Sequence, residues 1–180
     1  AALGPKSVEM TAELADAWLP AFYLPEGADA IWGEALRAGA AKRDPARAPL
    51  EVFSGGAVAI GEGLEAQRDR ARPQIALYVG GMGAKEKNFY NRIFRQYGYE
   101  READRIQELY LSGRKDEAEA AIPEDYLAKA SLVGPEGFVR ERLEALRASG
   151  VTTLNVSLLG ETRAERLRQC ERLRDLLETL

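Results

Sequence analysis

The chain has 180 residues, enough for one domain with a real core, and its 46% hydrophobic and 30% charged residues are ordinary for a soluble globular protein. The net charge of −4, with no basic block, speaks against a nucleic-acid partner, and no apolar run approaches the roughly 20 residues that cross a bilayer. With no histidine and one cysteine, Cys170, the composition excludes His-dependent triads, histidine zinc sites and internal disulfides, leaving carboxylates, Lys or Tyr for acid–base work. The expectation is a cytoplasmic protein without nucleic-acid or membrane partners.

In chain order, Ala1-Ala2-Leu3-Gly4-Pro5-Lys6-Ser7 reads as the tail of a strand, a tight loop and a helix start, with Pro5 suited to the first helical position. Three residues fall short of the five or six of a typical strand, so the chain is expected to begin inside a larger architecture. Residues 7–17 read as a helix with Val8, Ala12 and Ala15 inward. Its row of Glu9, Glu13 and Asp16 reads as a solvated face rather than a cation site. Residues 18–23 form a short apolar run expected to be a buried parallel strand. Pro25 opens a helix through Ile31, Trp32, Ala35 and Leu36 to Ala40, and Pro45 and Pro49 mark a loop.

Residues 50–54 are the next expected strand, running into Gly55-Gly56 and then Ala57-Val58-Ala59-Ile60. Helix resumes near Gly63 with an expected interruption at Pro73; Ile75-Ala76-Leu77-Tyr78-Val79 reads as helix, and Gly80-Gly81-Met82-Gly83 as a break. Residues 84–130 read as all-helical. Phe89, Ile93 and Tyr97 recur every four residues with Tyr90 and Phe94 beside them, and Ile106, Leu109 and Tyr110 carry a second helix; this aromatic stripe reads as core. Gly134-Pro135-Glu136 opens a helix with Val139, Leu143 and Leu146 inward, stopped at Gly150. Residues 151–157 are the clearest strand. The last helix carries Leu167, Cys170, Leu173, Leu176, Leu177 and Leu180 in an apolar stripe, which makes Cys170 a buried structural thiol. Strands separated by helices imply parallel pairing and an α/β class, either a doubly wound open sheet or a (β/α)8 barrel.

An ordered set of segments carries a resemblance: Ala2-Leu3-Gly4-Pro5-Lys6, Glu13-Leu14-Ala15-Asp16 before Trp18-Leu19-Pro20, Tyr78-Val79-Gly80-Gly81-Met82-Gly83, Lys87-Asn88-Phe89-Tyr90, Leu132-Val133-Gly134-Pro135-Glu136 and Gly150-Val151-Thr152-Thr153-Leu154. The chain resembles the luciferase-like monooxygenase superfamily and, within it, the coenzyme F420-dependent oxidoreductases, over essentially its whole length. The resemblance implies an α/β fold that is the C-terminal half of a (β/α)8 TIM barrel, a single partial domain over residues 1–180. Residues 1–3 would end strand five, 18–23 would be strand six, 50–56 strand seven and 151–157 strand eight, with a helical insertion at about 84–130 before the last strand. Strands one to four, most of strand five and the side chains the family uses for acid–base chemistry would lie outside this chain, so no catalytic residue is assigned.

The implied activity is hydride transfer on a small organic substrate with coenzyme F420, or alternatively FMN. Ala2, Leu3, Gly4, Pro5 and Lys6 are the candidate cofactor contacts: a helix N-terminus offers free N–H groups to a phosphate, and Lys6 adds a charge. Barrel sites lie at the C-terminal ends of the strands, which makes Phe22, Ser54, Gly55 and Gly56 the candidate substrate pocket, with Met82 in a glycine-rich lid over it. Asn155 and Ser157 share one face of the last strand. No metal ligands are assigned. Expected partners are the substrate and either the N-terminal half or a second copy of the chain, in a homo-oligomer. Two other functions stay open: a non-catalytic half-barrel that self-associates through its sheet edges, and a module that binds a phosphorylated small molecule.

Overall fold

A computed structural model describes residues 2–180; the expected strand end at Ala1 lies outside the described residues. The first helix, α1 (Pro5–Leu14), begins after Gly4, whose extended backbone (φ −79°, ψ 150°) and Pro5 set its start, and it buries Val8 and Ala12. Strand β1 is only Ala17–Trp18, not the whole run 18–23. Pro20 has no N–H to give a ladder, and Phe22 takes a left-handed φ of +58°, so the extended run cannot continue. One helical rod follows, made of α2 (Pro25–Ala28), a π turn (Asp29–Gly33) and α3 (Glu34–Ala40). A Cβ on Gly39 would overlap Glu9 O and the Ala12 side chain, so α1 and α3 pack backbone to backbone.

Strand β2 spans Glu51–Ile60, ten residues that absorb both the expected strand and the Ala57-Val58-Ala59-Ile60 segment. It is the hub of the sheet. Short strand β3 (Leu132–Gly134), which the sequence pattern did not single out, and β4 (Thr153–Leu158) both pair with it in parallel, as does β1. The hydrogen bonds assign the edges. Val52 O and Val58 O accept from Thr152 and Leu159 on the β4 side, whereas the Glu51 N–H and the Gly61 N–H donate to Asp16 and Gly134 on the other. Alternate residues of a strand bond to opposite edges, so β1 and β3 share one edge of β2, at its start and its end, while β4 runs along the other.

A 3-10 segment (Glu65–Ala71) leads into α4 (Arg72–Ala76). Pro73 sits in the first turn of α4 and so starts a helix instead of interrupting one. The stretch through Val79 is helical as expected, but it ends in a π turn (Leu77–Gly81) that takes in Gly80 and Gly81, so the break begins only at Met82. Asn88 explains how that turn is held. Its Nδ2 donates to Tyr78 O and Val79 O while its Oδ1 caps the N–H groups of Tyr90 and Asn91. Helices α5 (Phe89–Gln96), α6 (Glu100–Leu111), α7 (Lys115–Ala120) and α8 (Glu124–Lys129) then build a core of their own around Phe94, Ile106, Leu109, Tyr126 and Leu127, packed on Ile75, Ala76 and Val79.

The sheet has a second core on its helix-covered face. Val58, Ile60 and Leu132 meet Val139, Leu143 and Leu146 of α9 (Glu136–Ala148) and Leu173 and Leu176 of α10 (Arg163–Leu177), with Leu154, Val156 and Leu158 of β4 against them. Thr162 and Glu165 close a capping box at the start of α10. The stripe expected on α10 is narrower than its leucines imply: Leu167 and Leu177 are exposed, and Cys170 is an exposed free thiol rather than a buried one. Leu173 and Leu176 are buried against the sheet with Leu180 packed beside them, while Gln169 and Arg172 of the same helix hydrogen-bond to Ile60 of β2. A third core joins Val8, Trp18, Trp32 and Ile93.

Candidate functional site

Two cavities offer room for a small molecule. The larger, about 550 Å³, lies between the α2–α3 rod and the end of α9, and its polar groups are already engaged. The Tyr23 hydroxyl donates to Ser149 O (3.0 Å), Glu26 pairs with Arg142, and Asp29 pairs with Arg37 at 2.6 Å. Burial disfavours the charged Glu26, yet the Arg142 guanidinium outweighs that and holds its carboxyl below the ordinary value of 4.5. These are structural contacts.

The second cavity, about 470 Å³, sits beside the middle of β2, Ser54 to Ala57, and reaches the loop after β1, the 3-10 segment and α8. Its polar groups are largely free. Of β4, the residues Leu154, Val156 and Leu158 are committed to the helix-side core, which leaves Asn155 and Ser157 exposed on the opposite face, where they line this cavity. Ser54 is only 7% exposed and Tyr126 only 1%, and neither hydroxyl forms a hydrogen bond among the described residues. No fully enclosed side-chain N or O lacks a partner among those residues, so both hydroxyls keep contact with the cavity. A buried tyrosine usually finds a partner for its O–H; here the cavity is where one would come from. Burial pushes the Tyr126 phenol well above its ordinary value of 10.0, so it stays protonated and available as a donor.

The opposite wall is aromatic. Phe22 lies 5.8 Å from Tyr78, 5.6 Å from Tyr90 and 6.4 Å from Tyr126, ring centre to ring centre. Its left-handed backbone costs on the order of 1–3 kcal/mol for a bulky residue and is over-determined by its surroundings. The next N–H but one, that of Leu24, donates to the Tyr97 hydroxyl at 2.9 Å, which pins the loop to α5. Tyr78 reaches the wall from the π turn that Asn88 supports. The floor depends on close approach of two chains: Gly56 has φ +142°, and a Cβ there would meet Ala130 O at 2.7 Å.

At the far end Arg68 donates through Nε (3.0 Å) and Nη2 (2.5 Å) to Val133 O and lies 4.8 Å from the Phe138 ring centre. Gly134 makes that reach feasible, since a Cβ there would stand 3.0 Å from Nη2 of Arg68. Arg70, also at the cavity, is paired with Glu161 at 2.6 Å.

The structure brings Phe22, Ser54, Gly55 and Gly56 together on this cavity, along with Asn155 and Ser157. Met82 does not line it; it is 39% exposed beyond the π turn, where Gly80 is buried and Gly81 is packed on the Tyr110 ring. The opening loop stands apart as well. Ala2 O accepts from Trp18 Nε1 (2.9 Å), Leu3 O from Trp32 Nε1 (3.1 Å), and Gly4 O from Ser7 Oγ (2.8 Å). Gly4 has an ordinary negative φ and lies against Phe89. Pro5 is in the first helical turn, no side chain caps that turn, and Lys6 is exposed. Among the described residues no cluster of acidic, cysteine or histidine side chains is arranged to hold a metal.

Sequence reasoning passed over Tyr126, Arg68, Gln67 and Gln74, which also line the cavity. For Gln67, Arg68 and Gln74 there was a usable signal: they follow the strand that ends at Ile60, and ligand sites of α/β folds gather in the segments after the strands. Tyr126 carried none, since nothing in its neighbours distinguishes a cavity tyrosine from a core one.

The model of the luciferase-like monooxygenase family matches residues 1–153. A Mycobacterium tuberculosis protein whose name places it among coenzyme F420-dependent oxidoreductases is 38% identical over 156 residues, 86% of this chain and 45% of that protein. The structure of a coenzyme F420-dependent tetrahydromethanopterin reductase from Methanopyrus kandleri superposes with a TM-score of 0.69 at 19% identity, covering 96% of this chain and 47% of that one. The chain therefore spans about half the length of these relatives, and it shares its α/β fold with the reductase. This chain belongs to the luciferase-like monooxygenase family.

Proposed function

We propose that this chain is the C-terminal half of a (β/α)8 barrel, with residues 84–130 as its helical insertion, in an oxidoreductase that uses coenzyme F420 and acts on a small organic substrate. The observation that carries the reading is the cavity beside the middle of β2, with its aromatic wall and its Ser54 and Tyr126 hydroxyls unpartnered among the described residues, in a chain 38% identical to a protein named for F420 dependence. The small organic substrate is assigned to this cavity: Phe22, Tyr78 and Tyr126 offer faces to its body, and Ser54, Asn155 and Ser157 offer hydrogen bonds.

When bound, the deazaflavin supplies the carbon that accepts or gives up a hydride. The chain's own residues do the rest of what is assigned here. The aromatic wall excludes water, and the protonated Tyr126 hydroxyl donates to an oxygen of whatever occupies the cavity. The backbone of Ala2, Leu3, Gly4 and Pro5, with the α1 N-terminus and Lys6, meets the phosphate of the cofactor tail. The unpaired outer edges of β1 and β4 among the described residues support a companion barrel half or a second copy covering them.

Fluorescence titration of F420 into the full-length gene product tests the reading. Saturable binding, tighter than for FMN and weakened several-fold by Gly56→Val, is expected. Absence of saturable F420 binding by a folded protein contradicts it.

A further inference from the structure

The cavity is lined by two arginines and, among the described residues, by no aspartate or glutamate, in a protein whose net charge is −4. The two arginines are not equivalent. Arg70 is neutralised by Glu161, whereas Arg68 forms no ion pair among the described residues and spends Nε and Nη2 on one neutral carbonyl, Val133 O. Together with the Phe138 ring, that carbonyl fixes the plane of the guanidinium and leaves its Nη1 group without an acceptor. A half-buried cation with no counter-ion is under-solvated, and an anion entering the cavity offsets that cost. The buried hydroxyls of Ser54 and Tyr126 add neutral donors, and the far wall of Phe22 and Tyr78 is apolar.

We infer that the substrate of this site is an organic anion, a carboxylate or phosphate ester on a planar apolar body, with Arg68 as its counter-ion and the Phe22–Tyr78 wall receiving the body. The inference deepens the proposed function, since it rests on reading this cavity as the substrate site, but it does not require F420.

Calorimetric titration with naphthoate and naphthamide tests it, because the two probes share a ring and differ in charge. Naphthoate is expected to bind the wild type about tenfold or more tightly than naphthamide at low salt, with the ratio shrinking as salt rises. Arg68→Met should bring the ratio near unity; Arg68→Lys, which keeps the charge, should retain part of the preference. Arg70→Met should change the ratio by less than about twofold, because that charge is already paired. Equal binding of both probes by the wild type, or a preference that survives Arg68→Met, overturns the inference.

Repeating the titration with saturating F420 separates the sources of the anion. Retained naphthoate binding assigns the charge to the substrate; mutual exclusion gives Arg68 to the cofactor tail and overturns the substrate assignment. An Arg68-dependent preference in a protein that binds no F420 upholds the organic-anion site and refutes the F420 assignment. F420 binding without the preference does the reverse.

Discussion

The two faces of β4 show how one strand serves fold and function separately. On one face Leu154, Val156 and Leu158 close against α9 and α10 in the core that contains Val58, Ile60 and Leu143. On the other, Asn155 and Ser157 reach a cavity where the hydroxyls of Ser54 and Tyr126 have no hydrogen-bond partner among the described residues. The same contrast holds between the two cavities. Around the larger one, Tyr23, Glu26 and Asp29 are satisfied by Ser149, Arg142 and Arg37; around the smaller one, the Tyr126 and Ser54 hydroxyls open onto the cavity with no protein partner among the described residues. Polar groups that hold a fold together come with partners, and polar groups that await a ligand do not.

Substitutions of decreasing effect break that comparison. Leu143→Ala, in the helix-side core at 2% exposure, should cost about 2–5 kcal/mol in a urea melt, whereas Ser157→Ala on the cavity face should stay within about 0.5 kcal/mol. Arg142→Met strips Glu26 and Lys129 O of a donor and should cost about 2–3 kcal/mol. That pair also has a pH signature. The Glu26 pKa is lowered in the folded protein, so its contribution is full above 4.5 and is lost as pH falls through the lowered value. The wild type should therefore lose more stability on acidification than Arg142→Met does, as read by melts across that range.

Two matched phenylalanines sharpen the contrast. Tyr23→Phe deletes a hydroxyl that bonds Ser149 and should cost about 1 kcal/mol. Tyr126→Phe deletes one with no partner and should leave thermal stability unchanged or slightly raised, while weakening any ligand that the hydroxyl meets. A Tyr126→Phe protein as destabilised as Tyr23→Phe would show that the cavity hydroxyl is structural.

Much of the fold was legible because it rests on local periodicity and punctuation. The helices opened by Pro5, Pro25 and Pro135, the strand before Gly160 and the helical run 84–130 stand close to where their patterns put them. The errors came where tertiary contacts decide. The run 18–23 reads as a strand, but Pro20 and the left-handed Phe22 turn it into a loop that faces the cavity. Cys170 keeps helical phase with Leu173, yet α10 meets the sheet with so narrow a stripe that the thiol stays outside. The structure places Phe22, Ser54, Gly55 and Gly56 on the cavity, but not for the strand-end reason: β2 runs on to Ile60, so Ser54, Gly55 and Gly56 lie in the middle of the strand. Arg68 and Tyr126 were hidden because their meaning lies in missing partners, and a missing partner is visible only in three dimensions.

The central claim is that the cavity beside β2 is the ligand site of an F420-using enzyme. Hydrogen–deuterium exchange of the full-length gene product with and without F420 tests it most directly. The account predicts added protection in the loop around Phe22, in the middle of β2, at the start of α1 and around Tyr126. Protection confined to the groove between Tyr23 and Ala148, or none in a protein that demonstrably binds F420, would contradict it.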